Sequence, residues 1–326
     1  MVLDKARKWI NEINEALSRY LEVGDVEELR EMMKYYPLAG GKRLRPLIAL
    51  LVAECVGNRA KEAMPYAIAL ELTHNFTLVH DDIMDMDMYR RGRKTLHTAY
   101  SIPLAINAGD ALFARAMELL TEIDLDMKRY KALLKEYTSM VRGIAEGQHL
   151  DMRFEERDYV SVNEYMVMIE KKTALMFKAA AKGGAIIGLG TEEQVKAMAE
   201  YGLSLGLSFQ IWDDLLDIRS AQELLGKDVG SDIRNGKKTL LVIYALERMN
   251  AYDKRDFMKV FGNKEATDED VLRAVEILEK YGAIDYAEEK AKMYADKARE
   301  TLRMLRDCEE KKILEELVDY MVKRKY

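Results

Sequence analysis

An all-α fold is predicted by three features of the sequence. There are only four prolines in 326 residues, good helix formers predominate, and helix-start signals recur ahead of apolar runs with 3.6-residue periodicity. Proline removes a backbone donor and clashes with the preceding turn, so its scarcity leaves long helices uninterrupted. Ser161 with Glu164, Thr191 with Gln194, and Thr267 with Asp270 have the spacing of a capping box or its Asp variant, and each marks a helix start. Residues 66–79, 105–120 and 197–216 read as helix, without strand-like alternation. Asn235-Gly236 sits among charges rather than between alternating runs, so no hairpin is expected there. Breaks are expected at Gly40-Gly41 and over residues 91–95, 183–190, 226–238 and 253–268. None has the composition of a flexible linker and no repeat of solenoid period is visible, so residues 1–326 are expected to form a single large helical domain.

Composition narrows the function classes. Lys+Arg number 51 against 57 Asp+Glu, a net charge of −6, so there is no basic excess to neutralise a nucleic-acid backbone. Cys55 and Cys308 are remote in sequence and form no CxxC, so neither a disulfide framework nor a zinc site is expected, and a reducing, cytoplasmic setting fits. The first residues are amphipathic and charged, unlike a secretion signal, and the apolar run 47–53 is far too short for a membrane span.

The chemistry-bearing residues start with His80-Asp81-Asp82-Ile83-Met84-Asp85. Asp81 and Asp85 are one helical turn apart and share a face that attracts a cation. The spacing recurs at Asp213-Asp214-Leu215-Leu216-Asp217. One such motif arises by chance about 0.1 times in a chain of this size, so a pair is hard to dismiss as solvated acidic surface. Like charges at i,i+4 repel, which favours a functional counter-charge, and all-oxygen ligands suit Mg²⁺ shared with phosphate rather than zinc. Cations for the phosphate lie in Gly40-Gly41-Lys42-Arg43-Leu44-Arg45-Pro46, in Arg90-Arg91-Gly92-Arg93, and at Lys171-Lys172, Lys227 and Lys237-Lys238. Taken singly, each basic pair reads as solvated surface; together with two acidic motifs they read as a phosphate site.

In order and spacing, GGKRLRP, ELTHNFTLVHDDIMD, RRG, GDALFARA, GQHLD, KT, FQIWDDLLD and GKDVGSDIRNGKKT resemble the motifs of the trans-prenyltransferases, the polyprenyl or isoprenyl diphosphate synthases. The resemblance spans residues 40–239 and is strongest to archaeal-type short-chain enzymes. It implies a single helical bundle of the isoprenoid-synthase type around a central cavity, and a homodimer. It further implies that Lys42, Arg45, His74 and Arg91 grip isopentenyl diphosphate, while Arg90, Lys172, Lys227 and Lys237 hold the allylic partner (dimethylallyl, geranyl or farnesyl diphosphate). Asp81, Asp82, Asp85, Asp213, Asp214 and Asp217 would hold three Mg²⁺, and Thr173 and Gln210 would turn oxygen dipoles to a carbocation. Of the histidines only His74 matches a binding position; His80, His97 and His149 are read as structural, and Glu146 with His149 lacks the second ExxH of a di-iron bundle. Asp228, Lys94 and Leu241 depart from residues frequent in the family without removing an expected contact.

Such an inventory serves ionisation of an allylic diphosphate, where metals and cations stabilise the leaving group and an alkene held in line attacks the cation. Phe76 and Thr77 precede Asp81 by five and four residues. In the family an aromatic at that fifth position limits product length, which points to a C20 product, with C15 or a mixture as the alternative. A non-catalytic partner subunit is disfavoured because both acidic motifs and RRG are kept. A terpene cyclase would not need Lys42 and Arg45, and a metal-binding scaffold leaves the basic clusters unexplained.

Overall fold

The computed structural model describes residues 2–223 and 230–323. Its helices, in chain order, are α1 (Val2–Lys5), α2 (Arg7–Tyr20), α3 (Glu27–Lys34), α4 (Leu44–Gly57), α5 (Ala60–Met84), α6 (Leu96–Ala99), α7 (Ile102–Leu120), α8 (Met127–Glu155) and α9 (Val162–Ile169). They continue with α10 (Leu175–Ile187), α11 (Glu192–Glu223), α12 (Ser231–Arg234), α13 (Leu240–Leu246), α14 (Ala251–Val260), α15 (Asp268–Lys280), α16 (Ala283–Thr301) and α17 (Glu309–Lys323). A π-helical turn, Glu170–Ala174, separates α9 from α10. The strands among the described residues are β1 (Tyr89–Arg90) and β2 (Arg93–Lys94), a minimal antiparallel hairpin. The fold is all-α, as the sequence predicts. No helix among the described residues is long and apolar enough to cross a membrane.

All three capping signals are realised. Ser161 and Thr267 form reciprocal boxes with Glu164 and Asp270. Thr191 N donates to Gln194 Oε1 at 3.1 Å while Gln194 N donates to Thr191 Oγ1 at 3.3 Å. Each exchange satisfies backbone donors that the first helical turn leaves open.

The residues divide into two compact units, Met1–Thr138 with Ala179–Ala199 and Met304–Leu314, and Ser139–Lys178 with Glu200–Arg303 and Glu315–Tyr326. Each unit is assembled from three stretches, so no single cut in the chain would divide one from the other.

In the first unit α4 is buried nearly all round, from Leu44 to Cys55. The expected break over 183–190 begins later than the glycines indicate, because Gly183 and Gly184 lie inside α10. A Cβ on Gly183 would come within 2.2 Å of the Tyr66 ring, and one on Gly184 within 2.4 Å of the Ala49 carbonyl oxygen. These glycines are packing surfaces for α5 and α4 rather than helix breakers.

In the second unit α16 buries an alanine stripe (Ala283, Ala287, Ala291, Ala295, Ala298), and Ser208 of α11 donates to the Ala291 carbonyl at 2.8 Å. Small side chains at i,i+4 spacing let the two backbones approach closely. The expected break over 253–268 also starts late. Asn250 caps α14 by accepting from Asp253 N at 2.9 Å, so the helix holds to Val260. At the other expected break α11 continues to Glu223, and 231–234 form a short helix.

Candidate active site

In the first unit the GGKRLRP segment enters α4 through unusual backbone: Gly40 has φ 96°, Gly41 φ 150° and Arg43 φ 50°. Non-glycine residues rarely adopt such angles, and the surrounding contacts of Arg43 explain why it does. Its guanidinium is buried, donating to Glu71 Oε1 at 2.6 Å, to Asn14 Oδ1 at 2.9 Å and to the Pro37 carbonyl. Arg43 therefore anchors the loop, leaving Lys42 exposed and Arg45 half-buried on the first turn of α4. Burial pushes the Arg45 guanidinium down to about 10 against the pull of Glu71.

The β1–β2 turn places Arg91 beside this loop. Arg91 (φ 52°) and Gly92 (φ 73°) occupy the two central positions, both left-handed, as a tight hairpin of this twist requires. Arg91 Nη1 donates to the Gly40 carbonyl at 2.9 Å. His74 on α5 is held well below the usual imidazole range, first by burial and then by Arg45, Arg91, Arg90 and Arg43. Four guanidiniums acting on one neutral imidazole define a focus of positive charge suited to an anion.

The two acidic motifs share one pattern of exposure. Asp81 is half-buried and Asp85 exposed, whereas Asp82 between them is 1% exposed. Arg90 Nε donates to Asp82 Oδ1 at 2.6 Å, and the Tyr36 hydroxyl donates to Oδ2 while accepting from Leu96 N at 3.0 Å. In the second unit Asp213 is exposed and Asp217 half-buried, whereas Asp214 is 7% exposed. Tyr165 donates to Asp214 Oδ2 at 2.6 Å and Gln210 Nε2 donates to Oδ1 at 2.8 Å. The middle aspartates, expected among the metal ligands, thus are buried with both oxygens engaged by protein donors.

Lys172 and Thr173 lie in the π-helical turn, a distortion that recurs at functional sites. Gly147 of α8 makes room for it: a Cβ there would come within 2.3 Å of Lys172 N. Lys172 Nζ pairs with Asp151 at 2.5 Å. Thr173 donates its only hydroxyl hydrogen to Gln210 Oε1 at 2.7 Å, and Gln210 passes the bond on to Asp214. With its hydrogen committed, the Thr173 oxygen is left with lone pairs to offer. Lys237 pairs with Asp232 at 3.5 Å. Asp217 accepts from Ser231 Oγ at 3.1 Å and from Asp232 N at 3.2 Å. Lys227 lies outside the described residues.

Beneath the first motif, Phe76 stacks on Phe113 of α7 at 5.2 Å and 29°, and meets His80 edge-on at 4.7 Å. Thr77 donates to the His74 carbonyl at 2.8 Å. His80 Nε2 lies 3.4 Å from the Ile106 carbonyl, with Gly109 opening the space for the ring, a structural setting.

Tyr36, Asp151, Tyr165 and Asp232 escaped the sequence reading as functional residues. Asp151 was within reach, since it closes the GQHLD motif. Tyr36 and Tyr165 are 46 and 49 residues from the aspartates they hold, with no local signature.

Among the described residues no three His, Cys, Asp or Glu side chains form a ready-made metal cage. Mg²⁺ takes one or two carboxylates and completes its octahedron with water and substrate phosphate. Carboxylate pairs one turn apart are a donor set of that kind.

Residues 26–278 match the polyprenyl synthetase family. The chain is 41% identical to a geranylgeranyl diphosphate synthase of Methanosarcina mazei, covering 100% of this chain and 98% of that one. It is 41% identical to a geranylfarnesyl diphosphate synthase of Aeropyrum pernix, over 88% of this chain and 91% of the relative. The crystal structure of geranylgeranyl pyrophosphate synthetase from Pyrococcus horikoshii superposes with a TM-score of 0.94 at 41% identity, covering 99% of this chain and 98% of that one. With the motif geometry described above, these likenesses show that the chain belongs to the polyprenyl synthetase family.

Proposed function

We propose that this protein condenses isopentenyl diphosphate head-to-tail with allylic diphosphates and releases a C20 prenyl diphosphate. The observation that carries the proposal is the repeated pattern of two reachable outer aspartates flanking a buried, tyrosine-held middle one. Asp81, Asp85, Asp213 and Asp217 are then the metal ligands, and Asp82 and Asp214 hold them in place. Three Mg²⁺ bound by these residues and the allylic diphosphate would supply the positive charge that stabilises the leaving group.

Arg90, Lys172 and Lys237 take the remaining allylic phosphate oxygens, and each already stands on a carboxylate partner that fixes its direction. Lys227 is expected to join them. Lys42, Arg45, His74 and Arg91 hold isopentenyl diphosphate in the position from which its alkene attacks. Thr173, its hydrogen committed to Gln210, presents an oxygen dipole to the allylic cation. The proton lost from the coupled product goes to the departing diphosphate, so no protein base is required.

Phe76, backed by Phe113, closes the hydrocarbon pocket at C20. The exposed apolar side chains Ile102 and Ile106, one turn apart on α7, provide a face for a homodimer, to be tested by light scattering on the purified protein.

The deciding experiment incubates the protein with isopentenyl diphosphate, Mg²⁺ and each allylic primer in turn and sizes the products. C20 accumulation is expected; absence of elongation with every primer would overturn the proposal.

A further inference from the structure

Cys55 and Cys308, separated by 253 positions, come together in the first unit with their sulfur atoms 2.6 Å apart. Their surroundings differ in a way that assigns them different roles. Cys55 is 1% exposed inside α4, while Cys308 is half-buried and immediately precedes α17. Lys311 N, in the first turn of that helix, donates to Cys308 Sγ at 3.4 Å. Cys308 is the more accessible of the two, so it is the member that a small oxidant reaches first. Burial and the neighbouring Cys308 keep the Cys55 thiol protonated well above its usual range, which suits the partner that donates S–H and resolves second. Arg306 ties the same two segments independently of sulfur, donating to the Glu54 carbonyl at 3.2 Å and to Asn58 Oδ1. The approach of the 304–314 stretch to the end of α4 is therefore held by polar contacts on either side of the thiols.

We propose that Cys55 and Cys308 form an oxidisable pair that closes to an intramolecular disulfide and clamps the 304–314 segment to α4. The oxidant is a low-molecular-weight disulfide. The Cys308 thiolate attacks one of its sulfurs, breaking that S–S bond and releasing a first small thiolate. Cys55 then attacks Cys308 Sγ, loses its proton to solvent and expels the second small thiolate. The protein loses two electrons and two protons overall, and the small disulfide becomes two thiols. The clamp closes a long loop, which constrains the unfolded chain far more than the folded one.

The full chain is equilibrated with oxidised glutathione or with a phosphine reductant, denatured in N-ethylmaleimide and weighed intact. The oxidised chain is expected to carry no maleimide and to weigh two hydrogens less, with a peptide joining Cys55 to Cys308; the reduced chain carries two maleimides. Its melting temperature is expected to rise by roughly 5–10 °C over the reduced form. Cys308→Ser is expected to retain one maleimide on Cys55 under both conditions and to show no such rise. Two maleimides on the oxidant-treated chain, a persistent glutathione adduct on Cys308, or cross-linking only between chains would each overturn the pairing. An intact disulfide with an unchanged melting temperature would overturn the clamp.

Discussion

The Tyr165 hydroxyl donates to Asp214 Oδ2 at 2.6 Å, and Tyr36 makes the corresponding bond to Asp82. Two acidic motifs in different parts of the chain thus place a buried tyrosine on the middle carboxylate. Under the proposed function the middle residues act as braces and the outer ones as ligands, and the two classes should respond differently to substitution. Asp81→Asn and Asp213→Asn are expected to lower kcat by about 10²- to 10³-fold and raise the Mg²⁺ concentration for half-maximal rate. Asp82→Asn is expected to leave that Mg²⁺ dependence nearly unchanged while lowering stability by about 2 kcal/mol, because Arg90 loses its anion. Mg²⁺ titrations of rate and urea melts separate the two; equal Mg²⁺ shifts in all three variants would contradict the division.

Phe76 and Phe113 stack on each other, so each should contribute to product length. Phe76→Ala is expected to release products longer than C20, Phe113→Ala a smaller shift, and the double variant the longest chains. Chromatography of the dephosphorylated products reads this directly. Unchanged chain length in all three would remove the pocket-floor assignment.

The burial of His74, and then the four guanidiniums around it, have a consequence for acid stability. The folded imidazole titrates well below the 6.5 of the unfolded chain, so below pH 6.5 the unfolded state binds the extra proton. Stability is therefore unaffected by this group at neutral pH and falls as pH drops from 6.5 toward the folded value. His74→Gln, compared with the parent by urea denaturation at pH 7.5 and 5.5, is expected to lose less stability between the two. A diphosphate bound beside His74 counters the positive field, so binding on the acid side of neutrality should take up protons, seen as a buffer-dependent heat in calorimetry.

Gly147→Ala is the smallest change that should damage the site. Its methyl group would lie 2.3 Å from Lys172 N, which the π-helical turn cannot accommodate without moving Lys172. A loss of about 1–3 kcal/mol in stability is expected. The KM for the allylic substrate should rise while that for isopentenyl diphosphate stays within a small factor. Steady-state kinetics against each substrate tests this, and wild-type behaviour would show that the close approach is not needed.

Much of this was legible in the chain because its signals are local. A capping box spans four residues and an acidic motif five, so Ser161 with Glu164 and Asp81 with Asp85 could be read directly. What stayed hidden depends on distant partners. Gly183 and Gly184 look like breakers until Tyr66 and Ala49 are seen packed against them. Arg43 and Arg45 are neighbours in one basic run, and only Glu71, Asn14 and Pro37 show that Arg43 is the anchor. The likeness to a family supplied the choice of Arg45 over Arg43; the physical reason came from the fold. Cys55 and Cys308 form no CxxC, so no disulfide is expected from spacing, because a contact across 253 positions leaves no trace in either neighbourhood.

The widened turn at Glu170–Ala174 gives this part of the chain an intolerance that substitution scans would miss. A π turn holds one more residue than an α turn, so deleting a single residue between Ile169 and Leu175 would let regular winding resume. The helix on either side would keep its register, and the displacement would fall on the residues of the turn itself. Lys172 or Thr173 would leave its partner on a neighbouring helix even though the helix itself became more regular. Length, and not only residue identity, is a functional property of this segment.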